Sequence, residues 1–149
     1  ASLSLREAIP PFKASEVSEG TVHGSIGKVK VSLLGYPYPN LKPVEPWPET
    51  GACIASLDDL ACMKLSAIIQ RGLRRDFVDL WALRERDMPL RELLGNYKRK
   101  YGVGDEGHAL RAMCFFDDAE KDVMPDVLLK ISWKAVKAAL RGWVKDYMR

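Results

Sequence analysis

The sequence predicts an α+β protein with a small antiparallel sheet over about residues 17–55, followed by a C-terminal helical bundle. Seven of the nine prolines lie within residues 1–50, where they favour strands and loops over helices. Residues 51–149 hold only two prolines, and their apolar residues recur at three- and four-residue spacing, as on one face of a helix. We therefore expect a strand-and-loop part in residues 1–50 and a helical domain in residues 51–149.

The first fifty residues predict one short helix and one β-hairpin. The helix is expected over residues 2–9, where two prolines end it. One strand is expected over residues 17–26, and a second over residues 28–34, where polar and apolar residues alternate. The two strands would form an antiparallel hairpin closed near residues 24–27. Five prolines then predict an extended surface segment over residues 35–49.

Helical periodicity predicts five helices in the second part, over about residues 56–72, 74–86, 89–102, 106–116 and 132–147. Ser56 is the expected N-cap of the first, with Asp59 completing a capping box. In the sequence, helix capping and the helix dipole account for Asp58 and Asp59. Gly72 is a natural helix end, and Pro89 fits the first turn of a helix.

The overall composition is that of a globular protein. Apolar residues make up 47% of the 149 residues and charged residues 29%, which excludes disordered and fibrous classes. No uncharged apolar run reaches the ~18–20 residues that span a bilayer, so no membrane partner is predicted. Cys53, Cys62 and Cys114 lack CxxC spacing, which favours a reducing compartment, and we expect the cytoplasm. A net charge of +3 does not by itself predict a nucleic-acid partner.

Lys64 is the first candidate site residue, because it lies on the apolar face of its helix. A lysine there must snorkel, pair with a carboxylate or bind a ligand. Arg71 lies on the same face, and Asp76 and Asp79 follow in the next helix, across the Gly72 turn. We expect Lys64 to contact Asp76 or Asp79. Two interpretations stay open, a structural ion-pair cluster between antiparallel helices and a ligand site.

A basic stripe on the last helix is the second candidate, as a contact for the phosphates of RNA or another polyanion. The alternative is a solvated helix face beside an apolar one. The stripe consists of Lys130, Lys134, Lys137, Arg141 and Lys145. His23 and His108 stand apart, and the sequence contains no Walker A loop, no GxGxxG and no recognisable nucleophile motif.

The segment from Ile54 to Leu80 has a distinctive order of charged residues. An aspartate and Lys64 lie on one helix, followed by Ala67-Ile68, Arg71, Arg75-Asp76 and Asp79. This order resembles the C-terminal motif of the AbiEii/AbiGii toxin family, nucleotidyltransferase-like proteins of bacterial type IV toxin–antitoxin and abortive-infection systems. Residues 29–39 are similar to the strand and loop that precede the motif in that family.

The resemblance implies transfer of a nucleotidyl group from GTP or another nucleoside triphosphate to RNA or protein. It implies Mg²⁺ as a cofactor of the intact family and a cognate antitoxin as a partner. Lys64, Asp76 and Asp79 would be catalytic, and Lys64 and Arg71 would bind the nucleotide. Lys64 would hold phosphate as a point charge, and the two aspartates would orient it or a base.

The sequence also departs from the family pattern. Family members normally begin with a Gly-Gly-Ser/Thr segment and a strand bearing Asp-x-Asp, which holds the metal ions. This chain contains neither motif, and the third acidic position falls near Ser32, so we predict no metal ligand and no cofactor for this chain alone. We expect a truncated member that supplies the nucleotide-phosphate half of the site, and whether it is an enzyme stays open. The alternative is a non-enzymatic helical module that binds an antitoxin or nucleic acid.

Overall fold

The computed structural model describes residues 11–84, 88–128 and 130–149. The chain divides into two compact units, one ending at Tyr38 and the other running from Pro39 to Arg149. The helix predicted over residues 2–9 and the predicted C-terminal end of the second helix, residues 85 and 86, lie outside the described residues.

The first unit contains a three-stranded antiparallel sheet with the strand order β1-β2-β3. The strands are β1 (Phe12–Ser18), β2 (Thr21–Ile26) and β3 (Val29–Leu34). Gly27, at φ 59°, turns the chain between β2 and β3, which confirms the predicted hairpin.

The prediction of a single strand over residues 17–26 is wrong. Gly20, at φ 71°, turns the chain, so that Ser18 pairs with Thr21 across a two-residue loop. β1 also begins at Phe12, before the predicted sheet boundary. A bulge between Ala14 and Glu16 breaks the alternation of side chains in β1, which removes the pattern by which a strand is recognised.

The second unit contains the five predicted helices. They are α1 (Leu57–Gln70), α2 (Arg74–Arg84), α3 (Leu90–Tyr101), α4 (Gly107–Cys114) and α5 (Trp133–Tyr147). Each described end agrees with the prediction within two residues. A two-stranded ribbon, β4 (Glu45–Pro46) with β5 (Cys53–Ile54), precedes them. The α+β class is therefore confirmed.

The core of the second unit lies among the apolar faces of the five helices. Its fully buried members include Leu65, Phe77, Leu80, Leu93, Leu94, Met113, Val136 and Leu140. One face of α5 packs on this core, because Val136, Leu140 and Val144 are buried at helical spacing. Among the described helices, none has the length and apolar character needed to cross a bilayer.

Candidate functional site

Helices α1 and α2 form a tight helical hairpin that positions the candidate site. Ser56 caps α1 and accepts a hydrogen bond from the backbone N–H of Asp59. At the other end, the N–H groups of Arg71 and Gly72 both donate to the carbonyl of Ala67, and Gly72 takes a left-handed conformation at φ 54°. α2 begins two residues later, so the last turn of α1 and the first turns of α2 are close together.

Four charged side chains meet between the two helices, and we call Lys64, Arg71, Asp76 and Asp79 the Lys64 cluster. The Lys64 Nζ lies 2.6 Å from Oδ2 of Asp79 and 3.9 Å from Oδ1 of Asp76. Arg71 donates two hydrogen bonds to Asp76, from Nε at 2.9 Å and from Nη2 at 3.0 Å. The prediction that Lys64 contacts Asp76 or Asp79 is confirmed.

Burial differs sharply within the Lys64 cluster. The side chain of Asp76 is fully buried, whereas those of Lys64, Asp79 and Arg71 are 32%, 46% and 49% exposed. The hydrogen bond from Arg71 to Asp76 raises the pKa of the guanidinium. Since Lys64 and Arg71 both approach Oδ1 of Asp76, their nitrogens lie within about 7 Å of each other. Two neighbouring cations, Lys64 and Arg71, therefore share the buried carboxylate of Asp76.

An open groove of about 470 Å³ lies beside Lys64 and Asp79. Its remaining lining is aliphatic, from Leu57 and Leu60 of α1 and from Ala82 and Leu83 of α2. The Lys64–Asp79 pair therefore faces a concave surface that a small molecule can enter.

A second ion pair on α1, which sequence reasoning missed, involves Asp59 and Lys100. The Lys100 Nζ lies 2.6 Å from Oδ1 of Asp59, and both side chains are fully buried. Asp59 also accepts hydrogen bonds from the Ser56 hydroxyl and from the backbone N–H groups of Leu41 and Lys42. Capping therefore accounts for only part of the role of Asp59. We call this arrangement the Asp59 anchor.

The Asp59 anchor joins three segments of the second unit. Lys100 comes from α3 and also donates to the carbonyl of Pro39, so the segment from Pro39 to Lys42 is tied to both α1 and α3. Burial by itself raises the pKa of Asp59, but the hydrogen bonds from Lys100, Ser56 and the two backbone N–H groups outweigh it and lower the pKa to about 2. The neighbouring Asp58 forms an ion pair with Lys42.

The basic stripe is less continuous than its spacing predicts. Lys130 precedes α5, which begins at Trp133. Lys137 forms an ion pair with Glu120, which lowers the pKa of that carboxyl, and Arg141 lies over the ring of Phe116 at 5.1 Å. Lys134 and Lys145 are exposed. Two of the five cations therefore already have partners within the chain.

A known protein family matches most of the chain. The family described as Nucleotidyl transferase AbiEii toxin, Type IV TA system, matches residues 27–146, which include all four residues of the cluster. The chain belongs to the AbiEii family. The resemblance noted from the order of charged residues in α1 and α2 is thus confirmed.

One relative of this AbiEii chain is an uncharacterized protein of Aquifex aeolicus (strain VF5), aq_aa25. The two are 35% identical over 132 residues, which is 88% of this chain and 63% of the relative. This chain therefore spans less than two thirds of the relative's length. No solved structure matches the chain.

The described part of this AbiEii chain offers no cluster of donor groups for a metal ion. Among the described residues, no group of three or more histidine, cysteine, aspartate or glutamate side chains is arranged to hold one. Asp58, Asp59 and Asp76 each have a cationic side chain as partner. Ser32, near the third acidic position of the family pattern, instead shares a 2.8 Å hydrogen bond with Nδ1 of His23.

Burial disfavours the reactive thiolate form in two of the three cysteines. All three are free thiols, and Cys62 is fully buried in α1. Burial raises the pKa of Cys62 to about 12 and also raises the pKa of Cys114. The Lys64 cluster thus combines two partly exposed cations, Lys64 and Arg71, with the half-exposed carboxylate of Asp79.

Proposed function

We propose that the Lys64 cluster binds the phosphates of a nucleoside triphosphate, GTP or another, as part of a nucleotidyl transfer site. One observation carries the proposal: Lys64 and Arg71, both partly exposed, converge on the buried carboxylate of Asp76. An ammonium binds phosphate as a point charge, and a guanidinium binds it through a planar fork of N–H donors. Two such cations within about 7 Å can contact one polyphosphate chain together.

The four residues take different roles in this proposal. Lys64 and Arg71 bind phosphate oxygens, and Asp79, at the edge of the aliphatic groove, orients Lys64 or accepts a proton from the acceptor group. Asp76 is fully buried and holds both cations in place, so we assign it a positioning role. Lys64 and Asp79 are then the candidates for direct contact with the reacting groups.

In this proposal, the described residues of the chain do not bind the metal ion of the family reaction. Mg²⁺ would neutralise the triphosphate in the family reaction, and it needs clustered oxygen ligands. Asp58, Asp59 and Asp76 already have cationic partners, so we propose that the chain provides the phosphate half of a site and does not transfer nucleotides alone. RNA or protein as acceptor, a cognate antitoxin as partner and the bacterial cytoplasm as location belong to the same proposal.

The alternative function is a non-enzymatic helical module that binds an antitoxin or nucleic acid. It is favoured by the fact that the Lys64 cluster contains two cations and two carboxylates that already neutralise one another. A purely structural cluster would have this composition too. The two functions differ in whether an added polyphosphate engages Lys64.

Equilibrium binding of fluorescent nucleoside triphosphates to the purified chain separates the two functions. We expect weak, saturable binding that Lys64→Ala weakens by about ten- to a hundredfold, because a hydrogen bond to a charged group contributes about 1.5–3 kcal/mol. Lys98→Ala is the matched control, since Lys98 is similarly exposed and forms a 2.9 Å ion pair with Glu106. Equal affinity of the wild type and Lys64→Ala would contradict the proposal.

A transfer assay tests the half-site part of the proposal. The chain is incubated with labelled nucleoside triphosphates, Mg²⁺ or Mn²⁺, and either total RNA or its own protein as acceptor. We expect no incorporation of label, because the described carboxylates are not arranged to hold the metal. Incorporation that disappears in Lys64→Ala would show that the chain is catalytic by itself.

A further inference from the structure

We propose that Asp79 is a displaceable counterion of Lys64. The carboxylate of Asp79 binds the Lys64 ammonium before a ligand arrives, and it releases the ammonium to an incoming phosphate. The inference rests on the proposed function, because it concerns how the same site receives its ligand. It assigns to the Lys64 cluster a built-in competition between one of its own carboxylates and the ligand.

The two carboxylates around Lys64 differ in how firmly they are held. Asp76 is fully buried and accepts both hydrogen bonds from Arg71. Its carboxylate cannot move away without breaking both bonds and losing its partner cation. Asp79 lies one turn further along α2, is 46% exposed and borders the open groove. Asp79 therefore has solvent into which its carboxylate can swing, and Asp76 does not.

The energetics favour exchange at Asp79. A solvent-exposed lysine–carboxylate pair contributes little to stability, because water screens it and both side chains lose freedom. A terminal phosphate group carries more charge than a carboxylate, and it also accepts charge-assisted hydrogen bonds from an ammonium. In this proposal the 2.6 Å contact between Lys64 and Asp79 opens as the ammonium turns toward a ligand in the groove, whereas the 3.9 Å approach to Asp76 persists.

The exchange also makes the carboxylate of Asp79 available to a second group in the groove. Once phosphate occupies Lys64, the carboxylate of Asp79 is free to accept a hydrogen bond from a hydroxyl or amine beside Leu60 and Leu83. Before that, the same carboxylate is engaged by the ammonium. An acceptor group that needs Asp79 would therefore bind better after the phosphate than before it.

The test measures the affinity of inorganic tripolyphosphate for the wild type and Asp79→Asn at about 0.15 M salt, where distant charges are screened. We expect Asp79→Asn to bind about two- to fivefold more tightly, because the competing carboxylate is gone. Asp118→Asn makes the same change in net charge at another exposed lysine pair, with Lys121, and we expect it to bind as the wild type does. Unchanged or weaker binding by Asp79→Asn, or an equal gain in Asp118→Asn, would overturn the inference.

A double variant separates failure of the inference from failure of the proposed function. In the Lys64→Ala background, adding Asp79→Asn should have no further effect, because there is no ammonium left to release. A full gain in that background would overturn the inference alone. Tripolyphosphate binding that Lys64→Ala leaves unchanged would overturn the proposed function and the inference with it.

Discussion

Helix α1 carries two charge clusters that differ in access to solvent. The Asp59 anchor near its N-terminus is fully buried, whereas in the Lys64 cluster three of the four side chains are about one third to one half exposed. Asp59 is surrounded by donors from three segments, and Lys64 faces an open groove. The comparison indicates that ion pairing alone does not mark a functional site, and that access distinguishes a structural pair from one that can meet a ligand.

The largest effect is expected at the Asp59 anchor. Lys100→Met should lower the free energy of unfolding by about 3–5 kcal/mol, because it leaves the buried carboxylate of Asp59 without its cation. Lys98→Met, two residues earlier on α3, removes a partly exposed lysine and should lower the free energy of unfolding much less, because solvent screens its ion pair with Glu106. Urea unfolding at neutral pH measures both. Similar losses in the two variants would contradict the structural role of the anchor.

The Asp59 anchor should also make stability depend on acid pH. The folded pKa of Asp59, about 2, lies below its ordinary unfolded value of about 3.9, so the folded state binds fewer protons between these values. The contribution of Asp59 is therefore fully present above about pH 4 and is lost as the pH falls toward 2. Unfolding free energies of the wild type should fall more steeply over this window than those of Asp59→Asn, and parallel curves would argue against the lowered pKa.

Within the Lys64 cluster, effects on stability should follow burial. Asp76→Asn should cost about 1–3 kcal/mol, because it weakens a buried, doubly hydrogen-bonded acceptor, whereas Lys64→Met should cost less than about 1 kcal/mol. The thermal midpoints of the two variants and of Asp79→Asn give the ranking. A Lys64→Met loss as large as that of Asp76→Asn would favour the purely structural interpretation of the cluster.

The smallest effects are expected on the basic stripe of α5. Lys134→Ala and Lys145→Ala remove exposed side chains and should change stability by no more than about 0.5 kcal/mol.

We also expect the stripe to bind RNA weakly if at all. A genuine RNA contact would lose affinity with salt at a slope of about −0.7 per neutralised phosphate on single strands. Tight, steeply salt-dependent RNA binding that Lys134→Ala and Lys145→Ala abolish would show that the polyanion site lies on α5 and not at the Lys64 cluster between α1 and α2.

The helices and the Lys64 cluster were predictable because their signals are local. Ser56, Gly72 and Gly102 mark helix ends by capping and left-handed backbone, and the two-residue connection after Gly72 brings Asp76 and Asp79 to Lys64. Lys64, Asp76 and Asp79 lie within fifteen positions of each other, and so helical spacing and the short connection together place them side by side.

The Asp59 anchor and the first strand were not predictable in this way. Asp59 and Lys100 are 41 residues apart, and Lys100 lies in a basic run at the end of α3 that is typical of a solvated helix end. The bulge in β1 removes its alternating pattern, and the Gly20 turn is too short to separate two strands by composition. The Asp59–Lys100 pair depends on the tertiary fold, whereas the first strand depends on local backbone geometry that the hydrophobic pattern does not encode.

The most direct test of the central claim is an amide NMR titration of the isotopically labelled chain with tripolyphosphate. The account predicts that chemical shift changes concentrate between residues 64 and 79, around the Lys64 cluster, while the amides of Asp59 and Lys100 stay unchanged because their ion pair is closed to ligand. Lys64→Ala should abolish the changes. Shifts centred on Lys134 to Lys145, or an unaltered response in Lys64→Ala, would contradict the account.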